Sequence, residues 1–407
     1  MHRPCVTLGV TPQMKKISSI RNTHNLALAI ALGMATPLAH ADDIDFSGFL
    51  SVGGGMVDDE NSLPYGGYDE EDFTLDDNLL GIQLSGKVAE KLTATVQLTA
   101  RSENDYEVDA EWAYLSWQAT ESSKVRAGRL RTPFYMYSDF LDVGYAYAWI
   151  TPPREVYYLP FNNVNGVDFY TTATLGIFDT SFQAYFGGFD DELDLNGDDI
   201  MESASTRNQM GIAGTIGKDW WTLRAAYHQA DLSVDVTGIA VPVFGTLGGF
   251  ADALTNLGFA DNANKLLVDD DSVTFAEVGL NIDTGRFVAA AEYVEFDPED
   301  ALLSKNKRGY VMGGVRFGDW LIHLTGSQSR DEASHPEAGI PVSPQTAPLI
   351  GALQAVAASQ VVERDVVTLG TRWDVTTGTA IKFQIDDVDD ENQGDQQVYS
   401  VALQTVF

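Results

Sequence analysis

The sequence predicts an all-β protein: a 16-stranded antiparallel β-barrel that crosses a membrane, with long external loops, short turns at the other end and an inward-folded third loop. Three observations predict it. Segments of about ten residues with apolar and polar positions in alternation recur along the chain. The connectors between them alternate long and short without exception. The chain also stops flush on "YSVALQTVF", an alternating strand whose last residue is Phe407.

The first element is a leader. Lys15, Lys16 and Arg21 form a positive head, "LALAIALGMA" (Leu26 to Ala35) is a short apolar run, and "PLAHA" ends at Ala41 in an A-x-A cleavage pattern. A run this short falls below the roughly 20 residues that a membrane-spanning helix needs. Residues 1–41 therefore read as an upstream extension to Gln13 and a signal peptide beginning at Met14, cut after Ala41. Residues 42–407 read as the barrel. Cys5, the only cysteine, lies in the leader, so the exported chain has neither disulfide framework nor thiol chemistry.

Four of the 25 basic residues (Arg3, Lys15, Lys16, Arg21) and none of the 59 acids lie in the leader, so the exported part is even more acidic than the whole-chain charge of −34. That excludes nucleic acid, whose recognition needs clustered Lys and Arg. A hydrophobic content of 44% excludes disorder. The acid decorates a folded object.

The strands come next. "LLGIQLSGKV" sets Leu80, Ile82, Leu84 and Val88 on one face; "LTATVQLTAR" does the same with Leu92, Ala94, Val96 and Leu98. "RFVAAAEYVEF", "DVVTLGTRWDV" and "AIKFQID" repeat the pattern, with Gln83, Glu292, Arg372, Lys382 and Gln384 on the other face. Short connectors read "AEK", "TESS", "IFD", "GKD", "DTG", "FGD" and "TTG"; long ones span about 58–78, 103–110, 131–165, 188–208, 231–271, 297–308, 330–364 and 387–396. Segregation of loop length to opposite ends, with an apolar face all round, describes a closed transmembrane barrel, the one sheet that leaves no backbone edge in lipid. Trp220 and Trp320, beside short turns, fit an interfacial aromatic girdle.

In this layout, from leader to terminal Phe407, the sequence resembles the Gram-negative trimeric outer-membrane porins. The resemblance implies an outer-membrane homotrimer that conducts passively and has no cofactor. It also implies that Phe407 is a signal to the barrel-assembly machinery. In that family the third loop folds into the barrel and narrows it, acids facing a basic wall. The family's tip sequence rich in Pro, Glu, Phe and Gly is absent here, so only the loop's role carries over.

The third connector, 131–165, is dense in Tyr, Trp and Phe and holds Asp139, Asp142 and Glu155. An external loop facing water has no reason to be so aromatic; a loop packed on an inner wall has. Asp139, Asp142, Glu155, Tyr135 and Tyr137 are thus the candidate constriction; the alternative is an aromatic crown for receptor or lipid contact. Strand parity nominates a basic wall: Lys124, Arg126, Arg224, Arg286, Arg316, Arg372 and Lys382. Parity fails at Arg129 and Arg131, where the strand bends into the loop. Glu107, Asp109 and Glu111 project to one side.

Other motifs are weaker. "ELDLNGDD" (Glu192 to Asp199) resembles a calcium loop, but Ser203 stands where the closing Glu belongs, so no metal site is assigned. Loose divalent bridging of the acidic loops to lipopolysaccharide is the expected contact with outer-membrane lipid. His228, His323 and His335 lack metal-ligand spacing, and no Ser motif stands near them, which argues against an enzyme. Segments 249–267 and 347–360 look helical. The function expected is passive diffusion of ions and small hydrophilic solutes with weak cation preference; alternatives are a substrate-specific channel, for sugars or other nutrients, and a plugged adhesin.

Overall fold

A computed structural model describes residues 44–58, 65–68, 72–193, 202–299, 302–391 and 394–407. The leader, its cleavage site and most of the stretch 192–199 lie outside the described residues.

The strands in chain order are β1 (Ile44–Val57), β2 (Thr74–Ala89), β3 (Leu92–Arg101), β4 (Val108–Gln118), β5 (Ser123–Arg131) and β6 (Asn163–Leu175). Then come β7 (Phe178–Leu193), β8 (Glu202–Lys218), β9 (Trp221–Val234), β10 (Ala240–Val241), β11 (Gly245–Thr246) and β12 (Val268–Asp283). The last six are β13 (Phe287–Pro298), β14 (Lys305–Phe317), β15 (Trp320–Glu332), β16 (Glu363–Thr376), β17 (Thr379–Asp390) and β18 (Gly394–Val406). The two-residue β10 and β11 pair only with each other; the other 16 close one barrel in which each strand pairs antiparallel with its neighbour and β18 returns to β1.

Closure is a continuous ladder from Phe49↔Val406 to Val57↔Val398. Phe407 completes it: its N–H donates to the Gly48 carbonyl at 2.9 Å, and the Gly48 N–H donates back at 2.8 Å. With every edge paired, no backbone group of the wall need face hydrocarbon unsatisfied.

The side chains explain which face is which. Along β15, Leu321, His323, Thr325, Ser327, Ser329 and Asp331 are buried while Trp320, Ile322 and Leu324 are exposed. Leu84, Val96, Val367 and Phe383 are likewise exposed apolar residues on their strands. Exposed apolar residues on every side are what a lipid-facing wall requires; a charge there would cost about 2–4 kcal/mol at mid-bilayer. Trp320 and Trp373 stack at 5.3 Å and 3° beside short turns, as an interfacial girdle would place them.

The strands run further than polarity suggests. Expected loops at 188–208 and 387–396 shrink, because β7 reaches Leu193 and β18 begins at Gly394. Acidic residues there still pair in the ladder, as Asp387↔Gln397 does. Backbone pairing continues into water, where side-chain polarity no longer opposes it. The two helical segments form α1 (Leu247–Asn256) with α2 (Ala260–Asn264), and α3 (Ala347–Ala358). Asn262 donates to the carbonyls of Pro336 (2.6 Å) and Ala338 (3.0 Å), tying these two loops together.

Candidate channel and its constriction

The third loop (132–162) leaves β5 and makes contact with inward-facing residues from β9 to β18. Its first leg meets Arg224 on β9, which donates to the carbonyls of Phe134 (3.2 Å) and Pro133 and pairs with Glu277. The Met136 N–H donates to Glu292 on β13 at 2.9 Å, and Asn281 on β12 donates to the Tyr137 hydroxyl at 3.1 Å. Its far turn is gripped by two cations. Arg372 on β16 donates to the carbonyls of Tyr145 (2.7 Å) and Tyr147 (2.9 Å). Lys382 on β17, wholly buried, donates to those of Gly144 (2.6 Å), Tyr147 (2.8 Å) and Trp149.

Gly144 is what lets the loop lie so close: a β-carbon there would sit 2.2 Å from the Gln404 side-chain amide nitrogen. The return leg is tied by Trp149 Nε1–H to Thr325 (2.8 Å), by the Tyr157 hydroxyl to Glu292 (2.5 Å) and by the Tyr158 hydroxyl to Asn306 (2.8 Å). Arg308 stacks on Tyr158 at 3.7 Å. Phe134, Tyr135, Tyr137, Tyr147 and Trp149 join one apolar cluster with inner-wall residues such as Phe275 and Val294 and with Leu353 of α3. Burial pushes the Tyr137 phenol up to about 12 and those of Tyr135 and Tyr157 well above their ordinary value, so all three stay neutral: Tyr157 donates to Glu292, while Tyr137 accepts from Asn281 and Tyr135 from the Leu159 N–H at 3.2 Å.

Opposite this packed half lies open space. A cavity of about 1170 Å³ separates the loop edge at 135–140 from a wall that includes Tyr170, Thr172, Ser181, Gln183, Thr215 and Thr222. Asp139 is exposed on that edge, beside the half-exposed ring of Phe140. Its charge acts on Lys124 and Arg126 of β5. Lys124 rests 5.0 Å over the Tyr170 ring, and Arg126 Nε lies 3.0 Å from Asp168, which also accepts from Gln183 at 2.8 Å.

The other nominated residues are placed differently. Asp142 is paired with Arg101 (2.6 Å) and Arg131, and Glu111 completes that group at 2.8 Å from Arg101. A register shift between Gln97 and Leu98 against β4 accompanies it: Glu111 is buried while Glu107 and Asp109 are exposed. Glu155 is buried, accepting from the hydroxyls of Tyr65 and Ser327 at 2.8 Å each. Arg286 is exposed in a short turn, and Arg316 pairs with Asp283 at 2.6 Å at the same end of the barrel. The seven basic residues thus divide into loop holders (Arg224, Arg372, Lys382), waist residues (Lys124, Arg126) and rim residues (Arg286, Arg316). Parity reads which face a residue occupies; it has no means of reading which partner takes its charge.

Sequence reasoning missed the hydroxyl wall, although "YTTATL" carries it at period 2, and it missed Tyr65. His228 and His323 are buried beside loop rings, Phe134 at 4.9 Å and Trp149 at 5.9 Å. Among the described residues no group of three His, Cys, Asp or Glu is arranged to hold a metal ion.

A closed barrel of this strand number, with one loop laid along its inner wall, defines an outer-membrane channel. The chain belongs to the Gram-negative porin family, whose sequence model matches residues 27–404. It is a multi-pass β-barrel of the outer membrane, and family and fold make it a channel rather than an enzyme. Among solved structures it is similar in fold to OmpF of Salmonella typhi in complex with daunomycin (TM-score 0.56, 12% identity, 89% of this chain and 97% of that one). It is also similar to the channel DcaP of Acinetobacter baumannii (0.54, 10%, 90% and 97%) and to an anion-selective porin from Comamonas acidovorans (0.53, 12%, 89% and 99%). No curated protein sequence matches it.

Proposed function

We propose that this porin is a passive diffusion channel for ions and small hydrophilic solutes, weakly cation-preferring, with its conducting path between the third-loop edge and the β6–β9 wall. The observation that carries this is the asymmetry of the lumen. The aromatic loop fills one half, and a cavity of about 1170 Å³ with Asp139 exposed beside it occupies the other. Two of the basic residues that would favour anions are offset by carboxylates, Arg224 by Glu277 and Arg372 by Asp374, which lowers the anion bias of that wall. Single-channel recording of the purified protein in planar bilayers tests the proposal: steady ohmic conductance supports it, and its absence in a folded barrel overturns it.

A homotrimer is part of the same reading, supported by the similar Vibrio cholerae OmpT described in a trimer form (TM-score 0.51, 12% identity). So are Phe407 as the signal to the barrel-assembly machinery, contact of the acidic loops with lipopolysaccharide through divalent cations, and a signal peptide cut after Ala41. A sugar-selective channel is the second reading. It draws on the hydroxyl wall and the half-exposed ring of Phe140, and block of the single-channel current by added sugar distinguishes it.

A further inference from the structure

We propose that the turn Tyr65-Gly66-Gly67-Tyr68 of the first loop is a latch that positions the return leg of the third loop, with the Tyr65 hydroxyl and the Glu155 carboxyl as its bolt. The inference rests on the reading of the third loop as the inner boundary of the channel.

The turn is built to enter a tight space. Tyr65 and Tyr68 exchange backbone hydrogen bonds of 3.1 and 3.2 Å, and Gly66 and Gly67 take φ of +72° and +87°. Positive φ at both central positions makes a tight two-residue reversal that side chains with a β-carbon resist. Both tyrosines are buried, in one cluster with Val57, Val366, Val388 and Val398. A loop tip facing water has no cause to bury two rings; this one is drawn in against β1, β16, β17 and β18.

What it holds is the third loop. The Tyr65 hydroxyl donates to Glu155 Oε1 at 2.8 Å, while Ser327 on β15 donates to Oε2 at 2.8 Å, so Glu155 bridges the first loop and the wall. The neighbouring Arg154 donates to the Gly66 carbonyl at 2.9 Å. Arg364 lies over the Tyr65 ring at 5.3 Å, fixing the ring from the wall side. Tyr68 makes no such reach: its hydroxyl bonds Asp77 on β2 at 3.2 Å. Two consecutive residues of the third loop thus depend on one turn, and one of them was the acid expected to face the pore. Glu155 is a positioning residue in this assignment.

The test uses Tyr65→Phe, which keeps the ring and removes the bolt, and Tyr68→Phe as a control of similar burial whose hydroxyl bonds Asp77 on β2 instead. Trypsin cleavage after Arg154 in the folded, heat-modifiable barrel reads the unlatched population without reference to conductance. A hydrogen bond to a carboxylate is worth enough to change that population about tenfold. Tyr65→Phe is therefore expected to be cut about tenfold faster than the parent chain, with Tyr68→Phe unchanged. In planar bilayers Tyr65→Phe should add brief substates of higher conductance. Equal cleavage of all three proteins, or equal acceleration of both variants, overturns the latch. Acceleration confined to Tyr65→Phe in a barrel that carries no current would sustain the latch and remove the channel reading instead.

Discussion

Lys382 on β17 donates a 2.8 Å hydrogen bond to the Tyr147 carbonyl, joining the third loop to a strand six places round the wall from the one it leaves. Gly144 and Trp149 supply the other acceptors of the same ammonium. Replacing it by Met takes this donor from the buried carbonyls of Gly144 and Trp149, at about 1–3 kcal/mol for each unsatisfied group, while the Tyr147 carbonyl keeps Arg372. Lys382→Met is expected to loosen the loop, raising mean single-channel conductance and current noise. Arg316→Gln, at the rim, should leave both unchanged. Identical traces from all three proteins would show that the loop is held without Lys382.

Asp139 is the exposed carboxyl at the waist, acting on Lys124 and Arg126. A unit charge 4 Å from a passing ion is worth about 1 kcal/mol in water, roughly a fivefold bias in local concentration. Asp139→Asn is therefore expected to lower the cation-to-anion permeability ratio by up to about that factor, while Asp142→Asn, whose partners are Arg101 and Arg131, should act chiefly on folding yield. Reversal potentials in potassium chloride gradients separate the two. An Asp139→Asn pore with unaltered selectivity would move the selective point away from the loop edge.

How much of this was legible in the sequence follows from what alternation can report. Period 2 reads the facing of a side chain, so the barrel, its lipid-facing residues such as Val367 and Phe383, and the inward placement of Arg224 and Lys382 were all accessible. It does not read distance across a lumen. Nothing local to "AIKFQID" says that Lys382 meets Gly144, and nothing local to "PYGGY" says that Tyr65 meets Glu155; both contacts are set by barrel closure. Strand ends were misjudged for a related reason: acidic residues suggest loops, yet Asp387 and Asp389 keep their ladder bonds because their side chains already face water.

Phe407 and Gly48 exchange both backbone hydrogen bonds at the seam, and the Phe407 ring lies 6.4 Å from that of Phe46. Deleting Phe407 removes the last pair of the closing ladder and the terminal aromatic. The expected outcome is unchanged synthesis with a several-fold fall in heat-modifiable barrel in the outer membrane, read on unheated gels. Wild-type amounts of folded barrel would sink the assembly role of this residue.

Processing is tested by intact-mass spectrometry of outer-membrane material. The A-x-A pattern ending at Ala41 predicts Asp42 as the first residue. A mature protein that retained Met14 would refute the exported-leader reading.

Ion preference sets two populations of charge against each other. The acids outnumber the bases by 34 over the whole chain, and many stand in or beside the long loops at the external mouth. At the waist, Lys124 and Arg126 face Asp139 and Asp168, so the local balance there is near neutral. The mouth therefore decides selectivity, provided that its field reaches the permeating ion. The Debye length is about 30 Å at 0.01 M salt and about 3 Å at 1 M. In dilute salt the acidic mouth should concentrate cations along the whole approach and make the pore clearly cation-selective. In molar salt each carboxylate is screened within its own diameter, and the preference should shrink to the small bias that the nearly neutral waist supplies. Zero-current potentials measured across a fixed potassium chloride ratio, first near 10 mM and then near 1 M, read this directly. Selectivity that stays constant between the two would place its origin in the unscreened waist, and anion selectivity at 10 mM would mean that Lys124 and Arg126 outweigh every acid at the mouth.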